Sequence, residues 1–366
     1  MQSPQDIDRI TNLSELMVNQ QKKMQELRNV VKELEFVPLD PGGSYESVSF
    51  KAFDGGMFSL NFDPFEFDIV SVADSNGNRK LEFASPSGDM GNDDELKKII
   101  EPFEREPVIR NFLDLLDKTE LLKISEILTR RDTLMEIGEF ACMFDKVQTA
   151  QTDDKTLIMR DRLLRTKKIK AELIGKLKEN LLTKKDHVWM VGVAKTSKIL
   201  FLLQAALVCE KVFPTDHIGY VKIPLDVERR AYTWSGHGLL KPDENKPLDY
   251  SFGDLYIAKL SRQKNLLVTI EIPSMIDKDI YSKDDVMNII SYLAKDSRTS
   301  YPNIGYPQTL MRAHEYAVQQ GFPTSITRDR IIEKLRQNSD PVLSDYIRDQ
   351  AMQADNLDKG WLGGRA

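Results

Sequence analysis

Phe67-Asp68-Ile69-Val70-Ser71-Val72-Ala73-Asp74-Ser75-Asn76-Gly77-Asn78 reads as a short apolar strand, residues 69–73, that delivers an aspartate to a turn. β-Branched residues suit a pleated, half-buried surface, and Ser-Asn-Gly-Asn supplies turn chemistry. Asp is itself a common turn residue, because its side chain bonds the backbone two residues on, so Asp74 alone admits a purely structural reading. The pattern then recurs: Thr156-Leu157-Ile158-Met159 runs into Arg160-Asp161-Arg162. Between the two aspartates, residues 132–144 form a helix that is apolar nearly all round, which marks it as buried. It nevertheless carries Glu136 and Glu139. Leu134, Ile137, Ala141 and Phe144 mark its main core face, and Glu139 projects opposite them between Met135 and Met143. A carboxylate in such a place must be paired, hydrogen-bonded, bound to a cation or protonated.

Outward from these pieces the chain reads as mixed strands and helices, hence an α/β or α+β core. Residues 7–35 form one long helix in which Ile10, Leu13, Met17, Gln20, Met24, Leu27, Val31 and Leu34 recur at spacings of three and four. That stripe packs on its own domain or on a second copy of the chain. Strands are expected at 47–53, 57–62, 69–73, 80–84, 156–159, 187–193, 220–223, 256–260 and 265–272. Helices are expected at 95–103, 106–117, 119–129 and 132–147, then at 199–209, 283–295, 307–320, 327–337 and 340–353.

Composition narrows the class. A hydrophobic fraction of 41% over 366 residues fills a real core, and no apolar run reaches the roughly 18 residues of a membrane helix. The polar start lacks a signal peptide's regions, so the expected compartment is the cytoplasm. Cys142 and Cys209 both lie in apolar surroundings and read as buried thiols, so any metal here takes oxygen ligands and at most a histidine or two. A net charge of -6 argues against a protein that coats nucleic acid over its whole surface. Locally, residues 160–185 are rich in Lys and Arg, either a solvated helix face or a phosphate-tracking surface that includes Arg162, Arg165, Lys167 and Lys168.

Three acids from two strand ends and one buried helix suit a divalent-metal site. Mg²⁺ and Mn²⁺ prefer carboxylate and water oxygens, and a pair of such ions supports hydrolysis of a phosphodiester. Ion pairing is the competing reading, since Asp161 is flanked by Arg160 and Arg162, and Arg131 is available to Glu139. Further along, Tyr306-Pro307 starts a helix that presents His314 two turns in, among Leu310, Ala313 and Ala317. Its ring is a structural histidine, or it meets a metal ion or a scissile phosphate. Lys195, just past a buried strand in Val191-Gly192-Val193-Ala194-Lys195-Thr196-Ser197, is a cation for a phosphate or one of the acids. That stretch is not a GxxxxGK[ST] phosphate loop, which argues against a nucleotide-hydrolysing motor. His187, His217 and His237 lack zinc-type spacing.

Taken in order, Val72-Ala73-Asp74-Ser75, the helix from Arg131 to Ala141, Leu157-Ile158-Met159-Arg160-Asp161-Arg162-Leu163-Leu164, Val191 to Ser197, Tyr306-Pro307 and Ala313-His314 resemble the NurA nuclease family. The departure is at the turns, where Asp74-Ser75 and Asp161-Arg162 stand in place of the family's usual Asp-Gly. The resemblance implies a ribonuclease H-like mixed-sheet core flanked by helices, with a helical insertion at about 95–147 and a long N-terminal helix. It implies an N-terminal dimerisation segment at 1–45, a nuclease domain at 46–325 and a C-terminal helical tail at 326–366. Asp74, Glu139, Asp161 and His314 are then the implied ligands of Mn²⁺ or Mg²⁺, two ions, with Glu136 in reserve for Glu139. Lys195 and Tyr306 join the substrate-binding set. The implied activity is cutting of DNA, as a 5′ to 3′ exonuclease and single-strand endonuclease. The implied partners are a second copy and a HerA-type hexameric ATPase, in DNA end processing or phage defence. The alternatives are a non-catalytic ring subunit that guides DNA, and a structural coiled-coil protein built on residues 7–35.

Overall fold

A computed structural model of the protein describes residues 22, 24–40, 47–62, 65–86, 93–125, 127–128, 131–150, 155–195, 201–234, 250–263, 266–275, 278–298, 300 and 302–320, with isolated positions between 333 and 349. The fold is mixed α/β, as the sequence pattern requires. The chain divides into two compact units, one of residues 1–50, 151–166 and 178–309, the other of residues 51–150, 167–177 and 310–366.

In the first unit the strands are β1 (Val37–Pro38), β5 (Lys155–Arg160), β6 (Val188–Ala194), β7 (Gly219–Ile223), β8 (Gly253–Lys259) and β9 (Leu267–Pro273). They lie side by side in the order β1-β7-β8-β9-β6-β5. Only β5 and β6 run parallel, Leu157 opposite Trp189 and Arg160 opposite Gly192, and the other neighbours are antiparallel. Strand alternation sorts β7 and β8 cleanly. Val221, Ile223, Leu255 and Ile257 point to one face, where they form a core with Leu27 and Val31 of α1 (residues 24–31), Leu203, Ala206 and Leu207 of α6 (Phe201–Cys209), and Val227 and Ala231 of α7 (Leu225–Trp234). Tyr220 and Tyr256 point the other way and meet edge to face, 5.7 Å between centroids. Over β6, α8 (Lys283–Asp296) lays Tyr292 against Trp189 at 5.9 Å. Burying each such aliphatic or aromatic side chain stabilises the fold by about 1.5–3 kcal/mol.

The second unit contains the antiparallel meander β2 (Val48–Phe62, which enters the unit at Lys51), β3 (Phe65–Asp74) and β4 (Arg79–Pro86). Its helices are α2 (Asp93–Glu104), α3 (Pro107–Leu115), α4 (Arg131–Thr149) and α9 (Gln308–Gln320, which enters the unit at Leu310). The remaining helix, α5 (Ala171–Lys184), straddles the division of the chain. Close approach of α4 to the sheet rests on Gly138, where a Cβ would lie 2.6 Å from Leu81 Cδ2 and 3.3 Å from Val72 Cγ2. Aromatic pairs close the rest of this core: Phe83 with Phe103 at 5.1 Å, and Phe112 with Phe144 at 6.0 Å.

Several expectations change. The strands expected at 47–53 and 57–62 are one strand, β2, running unbroken through Gly55 and Gly56. Of the helix expected at 119–129, the described residues hold only a 3-10 turn, Leu121–Lys123. Beyond it the Ser125 hydroxyl accepts from Ile127 N–H at 3.2 Å, a local bond that competes with helix. Cys142 is buried, but Cys209, at the C-terminal end of α6, is exposed, and both are free thiols. The helix α7 has no counterpart among the expected elements. Of the long helix expected at 7–35, residues 24–31 are helical and most of the rest lies outside the described residues, as do much of the helices expected at 327–337 and 340–353. Among the described residues no helix is long and apolar enough to cross a membrane.

Candidate metal centre

The β2–β3 register decides which acids share a face. Phe53 pairs with Asp74, Asp54 with Ala73, Gly55 with Val72 and Gly56 with Ser71. Paired residues share a face and successive residues alternate, so Asp54 and Asp74 project to opposite sides of the strand pair. Each side has its helix. A Cβ on Gly55 would lie 2.5 Å from Met135 Cγ of α4, whereas one on Gly56 would lie 2.7 Å from the Ala317 carbonyl oxygen of α9.

On the α9 side, Asp54 is 4% exposed and its Oδ2 lies 2.7 Å from Nδ1 of His314, whose side chain is 54% exposed. A carboxylate this buried requires a charged or hydrogen-bonding partner, and His314 is one. With Nδ1–H donating to Asp54, Nε2 is the acceptor of the neutral ring. This pairing of carboxylate and imidazole is the donor chemistry that Mn²⁺ or Zn²⁺ accepts. Asp54 is absent from the set the sequence suggested.

Glu139, wholly buried on α4, accepts from the Gly55 N–H with Oε1 at 3.1 Å, one residue along the backbone from Asp54. Glu136 is half-buried on the same helix. Asp74 departs from the expected role. Its Oδ1 accepts from the N–H groups of Asn76 and Asn78, both at 2.9 Å, while Asn78 Nδ2 lies 2.9 Å from Oδ2 and Lys80 Nζ 3.3 Å from it. Burial pushes this carboxyl up, but the Asn78 and Asn76 hydrogen bonds and Lys80 outweigh it and hold it below its ordinary value. Asp74 and His314 therefore do not meet at one ion: Asp74 closes its own turn on the α4 side.

In the first unit, Asp161 follows β5 and accepts from the Tyr306 hydroxyl. That hydroxyl also lies 3.2 Å from the Val193 carbonyl, and Lys195 Nζ sits 4.3 Å from the centre of the wholly buried Tyr306 ring. The loop carrying Asp161 crosses β6 at Gly192, where a Cβ would lie 2.6 Å from both Arg162 O and Leu164 N. Arg160, also buried, donates to the Leu163 carbonyl at 2.9 Å and braces the same loop. Asp161, Lys195 and Tyr306 are thus together.

The basic run does not form one surface. The Arg165 side chain is buried, bound by Glu228 and, at 3.2 Å, by Glu271, so its guanidinium is engaged in the core rather than available to a phosphate. Lys168 pairs with Asp132 at 2.8 Å, while Arg162 and Lys167 are exposed.

No family model matches the chain, and no curated protein matches it. Over most of its length it is similar to solved NurA nuclease structures. The NurA nuclease from Sulfolobus solfataricus is 12% identical, with a TM-score of 0.45, over 93% of this chain and 99% of that one. A NurA bound to dAMP and manganese is 10% identical, with a TM-score of 0.40, over 86% and 93%. Endonuclease V from Bacillus subtilis is 9% identical, with a TM-score of 0.30, over 89% and 95%.

Proposed function

We propose that this chain is a divalent-metal-dependent nuclease that hydrolyses phosphodiester bonds of DNA. The observation that carries the reading is the buried Asp54 carboxylate on His314, with Glu139 anchored to the next backbone N–H. It is supported by the motif resemblance from Arg131 to His314. In this reading Asp54 and His314 hold the ion with Glu139 beside them, and Asp161 joins them through the resemblance alone. The donor set of carboxylates and one imidazole suits Mn²⁺, or Mg²⁺ with the imidazole in a supporting role. When bound, such an ion polarises a phosphodiester and lowers the pKa of a coordinated water.

The chain's own groups do the rest. Without an ion, Asp54 and His314 hold each other through Nδ1, so two of the candidate ligands already stand side by side. Tyr306 fixes Asp161 by its hydroxyl, so a ligand oxygen is oriented before any ion arrives. Lys195, held on the Tyr306 ring, supplies a cation for charge that builds on the phosphate. The 5′ to 3′ exonuclease and single-strand endonuclease activities, the homodimer and the HerA-type partner belong to the proposal through the resemblance alone.

The test is direct. Purified protein with Mn²⁺ degrades linear DNA, EDTA stops it, and Asp54→Asn or Asp161→Asn abolishes cutting in protein that remains folded. An Asp54→Asn variant that cuts at the wild-type rate overturns the assignment.

A further inference from the structure

A polar cavity of about 310 Å³ opens in the second unit on the α4 side of β2 and β3, the side away from Asp54 and His314. Its lining comes mainly from four places, with Val108 of α3 beside them. Lys51 and Phe53 stand on β2, Asp74, Asn76 and Asn78 on the β3–β4 turn, and Lys80 on β4. The fourth wall is one face of α4, where Cys142, Asp145, Lys146 and Thr149 recur at helical spacing. The size is at the lower end of small-molecule pockets.

Its charges are unequally matched. Asp74 is occupied by the turn and by Lys80, and Asp145 accepts from Asn111 at 3.3 Å. Lys51 and Lys146, both half-buried, have no hydrogen-bond or ion-pair partner among the described residues. Three cations, Lys51, Lys80 and Lys146, line a cavity that holds two acids, Asp74 and Asp145, and an anion between Lys51 and Lys146 balances the excess. Ammonium groups are point-charge donors suited to phosphate oxygens, and a phosphate monoester carries nearly two charges at neutral pH.

We propose that this cavity is a second site, separate from the metal centre, that binds a phosphate monoester through Lys51 and Lys146. The inference does not depend on the nuclease reading. Two sources share the chemistry: free inorganic phosphate and the terminal phosphate of a nucleic-acid strand.

Calorimetry on the full chain in EDTA tests it, with inorganic phosphate, the dinucleotide pTpT and its unphosphorylated counterpart TpT as probes. Saturable binding of phosphate or pTpT is expected, together with at least a tenfold loss in the Lys51→Ala/Lys146→Ala double variant. Thr149→Glu, which places a carboxylate at the exposed mouth, gives the same loss if the double variant does not fold. Asp54→Asn binds phosphate as the wild type does, even if the metal-site assignment fails. Equal affinity for phosphate and pTpT identifies free phosphate as the ligand, and pTpT binding tenfold tighter identifies a strand terminus. No saturable binding to wild-type protein, TpT binding as tightly as pTpT, or unchanged affinity in both variants overturns the proposal.

Discussion

His314 Nδ1 lies 2.7 Å from Asp54 Oδ2, joining helix α9 to the middle of β2 across 260 residues of sequence. The contact binds a half-exposed ring to a carboxylate that is almost wholly buried. One consequence concerns metal and stability together. If Asp54 holds an ion, Mn²⁺ raises the melting temperature of wild-type protein, by about 2.7 kcal/mol of added stability at a hundredfold excess over Kd. Asp54→Asn, which keeps the shape and an acceptor for His314, melts near the wild type without metal, gains nothing from Mn²⁺, and loses at least a hundredfold in DNA cutting. Scanning calorimetry with and without Mn²⁺ reads all of this. A variant that still gains stability from the metal removes Asp54 from the site.

Asp74 is predicted to act on the fold. Its carboxylate accepts from two backbone N–H groups and the Asn78 amide, so Asp74→Ala costs about 1–3 kcal/mol. The sign with pH follows from its lowered value. A carboxyl whose folded pKa is depressed contributes stability above the unfolded value of about 3.9 and loses it as pH falls through the folded value. The difference between wild type and Asp74→Ala should therefore be full at pH 7 and shrink below about pH 4. Urea denaturation at pH 7 and pH 3 checks it, and an equal difference at both pH values contradicts the assigned role.

Which parts of this were legible follows from local physics. An apolar strand ending in Asp161, an acid on an otherwise apolar helix at Glu139 and a histidine among Leu310, Ala313 and Ala317 each break a burial pattern, so each stands out in the sequence. Asp54 does not, because Gly55 and Gly56 look like a break between two strands. The glycines are instead where helices approach β2 from both faces, with Met135 and Glu139 over Gly55 and the Ala317 carbonyl over Gly56. Two glycines inside an alternating strand, next to an acid, were the available signal for close approach rather than a turn. Asp74 misled for the opposite reason. A turn acid and a ligand acid look alike until the pairing of Phe53 with Asp74 shows which face it takes.

Arg165 offers a test of burial against surface function. It is held between Glu228 and Glu271, and Glu271 also accepts from the N–H groups of Arg165, Phe252 and Gly253. Arg165→Ala leaves two buried carboxylates without their cation and costs about 3–5 kcal/mol. Burial pushes the Glu228 carboxyl up, and Arg165 only partly opposes it. A raised folded value means that this group favours the fold most below the ordinary pKa of about 4.3 and loses that contribution as pH rises through the folded value. Relative to wild type, Glu228→Gln is therefore more favourable at pH 7 than at pH 4. Chemical denaturation of both variants decides this, and a surface-like cost below about 0.5 kcal/mol for Arg165→Ala refutes it.

Gly192 separates the geometry of Asp161 from its chemistry. A methyl at this position has no room, since both nearest atoms, Arg162 O and Leu164 N at 2.6 Å, are backbone and cannot swing aside as a side-chain tip does. Gly192→Ala must push the 161–164 loop off β6, straining the Arg160 bond to Leu163 O and the Tyr306 bond to Asp161. Overpacking of this kind costs about 1–3 kcal/mol. If Asp161 is a ligand, Mn²⁺ affinity falls with stability although every candidate ligand is still present, by about tenfold or more as for a lost supporting contact. Tyr306→Phe loses the same hydrogen bond without moving the loop. It is expected to weaken Mn²⁺ binding with a smaller effect on melting temperature. Titration of Mn²⁺ into the two variants, beside their melting curves, reads both quantities, and wild-type Mn²⁺ affinity in both would show that the Asp161 loop has no part in holding the ion.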